Sequence, residues 1–151
     1  MDLNKLPQKL VKTLILGLGN PILSDDSVGL HVARVLDKRL VQPEVVVVET
    51  SATGLEFLDL LAGYDRAIII DAIQTNEGKP GQVCRLTPDD FDNTRHTSMP
   101  HDINFATALE LGKKLGLPLP QQIVIFGIEA KDLISFSEEC TPEVMAAIPD
   151  C

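Results

Sequence analysis

Thr13-Leu14-Ile15-Leu16-Gly17-Leu18-Gly19-Asn20-Pro21-Ile22-Leu23-Ser24-Asp25-Asp26-Ser27-Val28-Gly29 is the stretch on which the reading of this chain turns. Thr13 to Leu16 is a short continuous apolar run, the pattern of a strand buried on both faces. Gly17 to Pro21 carries the glycines, asparagine and proline of a turn. After Ser24-Asp25-Asp26, the apolar positions Val28, Val32, Val35, Leu36 and Leu40 recur at helical spacing. Strand, polar loop and helix in that order is the opening unit of an α/β layer.

Working outward, the same alternation continues. Glu44 to Glu49 is a second apolar run, Gly54 to Leu61 a short helix and Ala67 to Ile70 a third run. Gln82 to Leu86 reads as a fourth strand, Ile103 to Leu115 as a helix, Ile123 to Ile128 as a fifth strand, and Pro142 to Ile148 begins a last helix. Continuous apolar strands imply that helices cover both faces, so the expected fold is α/β: a three-layer α/β/α domain with a mostly parallel central sheet of about five strands. The direction of the fourth strand is left open. No linker, repeat or low-complexity run divides the sequence, and a single domain over residues 1–151 is expected. Ligands of such sheets lie beyond the carboxyl ends of the strands, which directs attention to the residues after Leu16, Ile70 and Ile128.

Composition narrows the partners. With 13 Lys+Arg against 22 Asp+Glu, the formal charge of −9 at pH 7 opposes a phosphate backbone, so no nucleic acid is expected as a partner. Runs such as Val45 to Val48 fall far short of the ~20 residues of a membrane helix, so no membrane association is expected. Met1 to Lys12 lacks the apolar core of a signal peptide, and Cys84, Cys140 and Cys151 form no paired motif. A cytoplasmic protein without disulfides, monomeric and meeting its substrate transiently, is the expectation.

Gly17-x-Gly19 after a strand suggests a dinucleotide fingerprint, with Glu49 as the ribose-binding acid. The pattern fails at its third glycine, where Ile22 stands, and Asp25 and Asp26 would repel a pyrophosphate at the helix start. Those two acids read in two ways. Ser24 or Asp25 caps the helix and the first-turn acid complements its dipole, worth roughly 0.3–1 kcal/mol. Alternatively one carboxylate caps while its neighbour projects toward solvent or a metal. Asp71, following Ala67 to Ile70, either caps the next turn or serves a site, because a partly buried acid must be paired, hydrogen-bonded or metal-bound. Of the three histidines, His31 reads as a surface or satisfied helical residue and His96 as solvated in a polar loop. His101 immediately precedes an apolar-periodic helix. Asp26, Asp71 and His101 together make an oxygen, oxygen, nitrogen set suited to a divalent ion with open coordination positions.

Over nearly its whole length the sequence resembles the hydrogenase maturation proteases, endopeptidases that trim the C-terminal extension of the NiFe-hydrogenase large subunit after nickel insertion. Leu16 to Gly29 matches the family's G-x-G-N-x-L-x-x-D-D/E-x-x-G loop; Ile69-Ile70-Asp71-Ala72-Ile73 and Pro100-His101 are the next elements. Phe126-Gly127-Ile128-Glu129 with Thr141-Pro142-Glu143-Val144 is a weaker fourth. The resemblance implies a phosphorylase/hydrolase-like fold and an aspartic-type peptide-bond hydrolase. It places Asp26, Asp71 and His101 as metal ligands that contact nickel presented by the large-subunit precursor, with Asp25, Asp26 and Asp71 as catalytic residues. Asp25 would be a general base if burial raised its pKa. Ser27 stands where many members have glycine, Ala130-Lys131-Asp132 follows Glu129 where proline is frequent, and the chain stops at Cys151 where similar proteins continue the last helix.

Two rivals are weighed against this. Leu18-Gly19-Asn20-Pro21 is similar to the opening of peptidyl-tRNA hydrolases, but the following Ile22-Leu23-Ser24-Asp25-Asp26 departs from that family, and the acidic charge opposes tRNA. A non-catalytic, nickel-dependent chaperone of the same precursor would use the same ligands without cutting. Against thiol catalysis, Cys84 reads as lying inside a strand and Cys140 has no histidine companion in sequence.

Overall fold

Every residue of β1 (Thr13–Leu18) is buried, as an unbroken apolar run requires of a strand covered on both faces. In the computed structural model, which describes residues 11–51, 55–97 and 104–151, β1 is followed by α1 (Val28–Arg39), β2 (Val45–Thr50), α2 (Glu56–Leu61) and β3 (Arg66–Ile73). Then come β4 (Val83–Leu86), α3 (Pro88–Asp92), α4 (Phe105–Lys114), β5 (Gln122–Glu129) and α5 (Pro142–Ala147). The five-stranded sheet has the order β2-β1-β3-β5-β4. β2, β1, β3 and β5 are mutually parallel, whereas β4 runs antiparallel to β5. The reason lies in the connection: residues 74–82 hold no helix, and a parallel return needs a crossover of roughly a dozen residues or more.

Alternation along the strands builds a core on each face. Leu14, Leu16 and Leu18 of β1 and Ala67, Ile69 and Ile73 of β3 pack with Phe57, Phe91, Phe105 and Leu109, so α2, α3 and α4 cover one face. Ile15, Ile70, Ala72 and Ile128 pack with Val28, Val32 and Val144, so α1 and α5 cover the other. The fold is therefore the expected three-layer α/β/α arrangement with a mostly parallel sheet.

Several boundaries differ from the sequence reading. β1 continues through Gly17 and Leu18 along β2, and β3 continues past Ile70 through Asp71 to Ile73 along β5, because these neighbours extend the ladders beyond the β1–β3 pairing, which ends at Ile70. Asp71 thus belongs to the strand, opposite Gly127 of β5. The acidic stretch Ser24–Ser27 is a separate 3-10 turn ahead of α1. Neither Ser24 nor Asp25 caps α1: the capping position is Ser27, without a side-chain cap. The short helix α3 has no counterpart in the apolar pattern; Thr87 and Asp90 close a reciprocal capping box at its start. Of the expected helices at 54–61 and 103–115, Gly54 and Ile103 lie outside the described residues.

Candidate active site at the carboxyl edge of the sheet

The spacing of glycines in the opening loop has a steric cause. A Cβ on Gly29 would overlap the carbonyl oxygens of Leu18 and Ile70, and one on Gly17 would overlap the carbonyl of Gly29. α1 therefore starts pressed against the ends of β1 and β3, which only a residue without a side chain permits. Gly19, with φ +151°, is pinned in the same way against the Asp26 carbonyl. Three residues before Gly29 is Asp26; one residue after Ile70 is Asp71. The close approach holds the turn bearing one acid against the strand bearing the other, at the edge where parallel sheets bind ligands.

The neighbours Asp25 and Asp26 are both buried, at 0% and 1% exposure, yet serve different parts of the molecule. The Asp26 Oδ2 accepts from the Asn20 amide at 2.9 Å, and its Oδ1 from the Thr97 hydroxyl at 2.7 Å. Both donors are neutral, and together they take two of the roughly four lone-pair positions of a carboxylate. Asp25 turns the other way. Its Oδ2 accepts from the amides of Lys131 and Asp132, each at 2.9 Å, and its Oδ1 from the Thr141 amide at 2.6 Å. The Thr141 hydroxyl donates across both oxygens, at 3.0 and 2.9 Å. The donors fill the Asp25 carboxylate and clamp both ends of the 131–141 segment to the turn. Ser24, held at φ 43°, adds to the same seam; its amide donates to the Ser137 carbonyl, and the Ser137 amide to that of Ile22, each at 2.9 Å. The left-handed region costs a residue with a Cβ roughly 1 kcal/mol, offset here by this pairing.

Asp71 is fully buried in β3 and its Oδ1 accepts from the amide of Ala72 at 2.9 Å. By strand alternation it shares a face with Ala67, Ile69 and Ile73, the side covered by α3 and α4. The start of α4 is fixed there. Asp92 accepts from the amides of Phe105 at 2.6 Å and Ala106 at 3.0 Å, and Asn104 caps Thr107. His101, the third expected ligand, precedes this helix and lies outside the described residues. Among the described residues, no group of three or more His, Cys, Asp or Glu side chains is placed to hold a metal ion; Asp26 and Asp71 are the two members of the expected set that are described.

His96 reads as solvated in the sequence, and the structure corrects this: it is half-buried between the exposed Arg95 and Thr97. The Arg95 backbone exchanges hydrogen bonds of 2.8 and 2.9 Å with Gln74, just beyond β3, and Thr97 reaches Asp26. The His96 ring stacks on Phe91 with centroids 3.9 Å apart, and its buried Nδ1 has no partner among the described residues. Burial lowers the His96 pKa below 6.5, opposed by the nearby Asp92 carboxylate. His31 is half-buried in α1, its Nε2 likewise without a partner among the described residues. Glu129, buried at the end of β5, accepts from the Thr75 amide at 2.7 Å and hydroxyl at 3.1 Å, which anchors the loop after β3.

Other chemistries find less support. Glu49, the residue that would bind a ribose, is paired with Arg34 at 2.8 Å. Cys140 is buried against the Ser27 hydroxyl and the Ser24 carbonyl, and burial, with the charge of Asp25, pushes its thiol above the ordinary range. A thiol held protonated is a poor nucleophile. The cleft lined by Lys12, Glu44, Val46 and Tyr64 lies at the amino ends of β1 and β2, away from the acids. Sequence reading missed Asn20, Thr97 and Asp92 as supports of the site. Asn20 lies within the opening motif, while Thr97 is 71 residues from Asp26 and only folding joins them.

An α/β sheet with buried acids at its carboxyl edge defines a class of proteins that bind ligands at that edge, and comparison makes the class particular. The sequence profile described as "Hydrogenase maturation protease" matches residues 30–151. The chain is 26% identical over 125 residues to the hydrogenase 2 maturation protease of Escherichia coli (strain K12), covering 82% of this chain and 76% of that protein. It is 28% identical over 138 residues to the hydrogenase expression/formation protein HupD of Bradyrhizobium diazoefficiens, covering 88% and 70%. Its fold superposes on the hydrogenase maturating endopeptidase HybD from Escherichia coli with a TM-score of 0.78 at 27% identity, over 93% of this chain and 86% of that one. For the NiFe hydrogenase maturation protease HybD from Thermococcus kodakarensis the TM-score is 0.65 at 27% identity, over 93% of each chain. The chain belongs to the hydrogenase maturation protease family. No helix among the described residues is long and apolar enough to cross a membrane.

Proposed function

We propose that this protein is the endopeptidase that removes the C-terminal extension of a NiFe-hydrogenase large-subunit precursor after nickel insertion, and that it recognises nickel held by the precursor. The observation that carries this reading is the pair Asp26 and Asp71, buried carboxylates locked to one edge of the sheet by Gly29. Two carboxylates and the imidazole of His101 form a set suited to a borderline divalent ion, and three ligands leave positions for those of the precursor. Nickel is therefore part of the substrate, and an empty precursor lacks the feature these residues bind.

Hydrolysis adds water across the scissile bond: hydroxide joins the carbonyl carbon and a proton goes to the departing amine. Asp26 and Asp71 are the carboxylates that the site offers to orient the attacking water and accept its proton, an aspartic-type arrangement. Asp25 is assigned a positioning role instead of general base. Its oxygens are occupied by amide and hydroxyl donors of the 131–141 segment and have no room for a proton from substrate water.

The test is the mass of the precursor after incubation with wild-type protein, Asp26→Asn, Asp71→Asn or His101→Ala. The wild type should shorten nickel-loaded precursor and leave nickel-free precursor intact. Each variant should be slower by roughly 100-fold or more while remaining folded. A stoichiometric complex with wild type in which the precursor keeps its full mass would sink the protease reading in favour of a chaperone.

A further inference from the structure

Beside the acidic turn, the structure holds out two large apolar side chains to water. Ile134 and Phe136 are each 83% exposed, and Ile22, whose carbonyl accepts the Ser137 amide, is 47% exposed. The segment that carries them is tightly tied. Both oxygens of Asp25 bind its ends, the Asp25 amide donates to the Asp132 carbonyl at 3.0 Å, and Ser24 pairs with Ser137. Within it, Asp132 Oδ1 accepts from the amides of Ile134 and Ser135, each at 2.9 Å, which fixes the turn between them. A segment held by this many hydrogen bonds is preorganised, and the apolar groups it displays gain nothing from folding. Ordered, exposed aromatic and aliphatic side chains that lose little freedom on contact are the features of an interface anchor.

The charge around the patch indicates what it meets. Glu138 and Glu139 are exposed and follow Phe136 by two and three residues, and Lys131, at the start of the segment, is paired with Glu143 at 3.0 Å. The whole chain carries −9. Such a rim favours a partner bearing Lys or Arg beside its apolar contact and disfavours a second copy of this equally acidic chain. Because the segment is anchored on Asp25, the patch is fixed to the same turn that carries Asp26.

We propose that Ile22, Ile134 and Phe136, flanked in sequence by Glu138 and Glu139, are the docking surface for an apolar, Lys- or Arg-flanked segment of the precursor, held on the turn that carries Asp26. The proposal rests on the function given above and adds a specificity surface separate from the acids. Asp25 thereby joins the two: its backbone neighbour carries the site and its carboxylate holds the docking segment.

The experiment measures binding and cleavage of nickel-loaded precursor by wild-type protein, an Ile134→Ser/Phe136→Ser double variant and a Glu138→Lys/Glu139→Lys double variant. All of these positions are exposed, and melting temperatures check that each variant is folded. The first double variant should raise KM and Kd by roughly tenfold or more with kcat nearly unchanged, as expected for loss of an interface anchor. The second should slow association and weaken its dependence on salt. Wild-type cleavage with unchanged KM in the first variant would overturn the docking surface while leaving the protease reading intact. If the wild type binds but does not cleave, the protease reading fails and binding alone decides: loss in the first variant supports docking, equal binding overturns it. Absence of wild-type binding overturns it, as does a wild-type dimer in sedimentation that the first variant abolishes.

Discussion

Adjacent aspartates with opposite duties are the central residue-scale feature. Asp26 is held by two neutral donors near the ligand edge, while Asp25 is spent on the 131–141 segment. Removing the Asp25 carboxylate unpairs the amides of Lys131, Asp132 and Thr141, whose bonds to it are part-buried, each unsatisfied donor costing about 1 kcal/mol or more. Asp25→Ala is therefore expected to lose about 3 kcal/mol or more of stability, with a fall in Tm of roughly 10 °C for a chain of this size. Differential scanning calorimetry checks it. Asp26→Asn, which keeps the shape and an oxygen acceptor, should melt within a few degrees of wild type, so that the two neighbours separate into a stability variant and an activity variant. The presence of both acids was legible in the sequence, but their division was not. It is set by contacts with Thr97 and Thr141, distant in the chain.

Among the elements, the join between α1 and the sheet governs the site. Gly29 lies against the carbonyls of Leu18 and Ile70, so helix and strands approach at backbone contact. Gly29→Ala must push α1 off the strand ends; overpacking against rigid backbone predicts a loss on the order of 3 kcal/mol. It should also slow cleavage, since Asp26 rides on the displaced turn and Asp71 does not. Urea denaturation and a cleavage assay on the folded fraction would measure the two effects. Helix and strand identities were readable because the apolar periods of β1, β3 and α1 are unambiguous. Where strands end was less readable: β3 runs through Asp71 because β5 goes on pairing with it after the β1 ladder has ended at Ile70, and a carboxylate inside a strand leaves no local signal.

At the scale of the whole molecule, burial of His96 against Phe91 links global stability to pH. The folded protein disfavours the charged imidazole, so its pKa is lowered from 6.5, burial being the larger influence and Asp92 opposing it. Below 6.5 the unfolded chain takes up the proton first, and native stability falls with pH until the folded value is passed. His96→Phe preserves the stack and removes the titration. The Tm of wild type should therefore fall more steeply than that of the variant between about pH 7 and about pH 5, and parallel curves would refute the linkage. By itself the sequence determined the α/β class, the acids and glycines of the opening loop, and the family resemblance, because apolar periodicity and turn chemistry are written locally. Tertiary structure alone decided the antiparallel edge strand, the opposite commitments of Asp25 and Asp26, and the display of Ile134 and Phe136. Each depends on hydrogen bonds and packing between segments that the chain order keeps far apart.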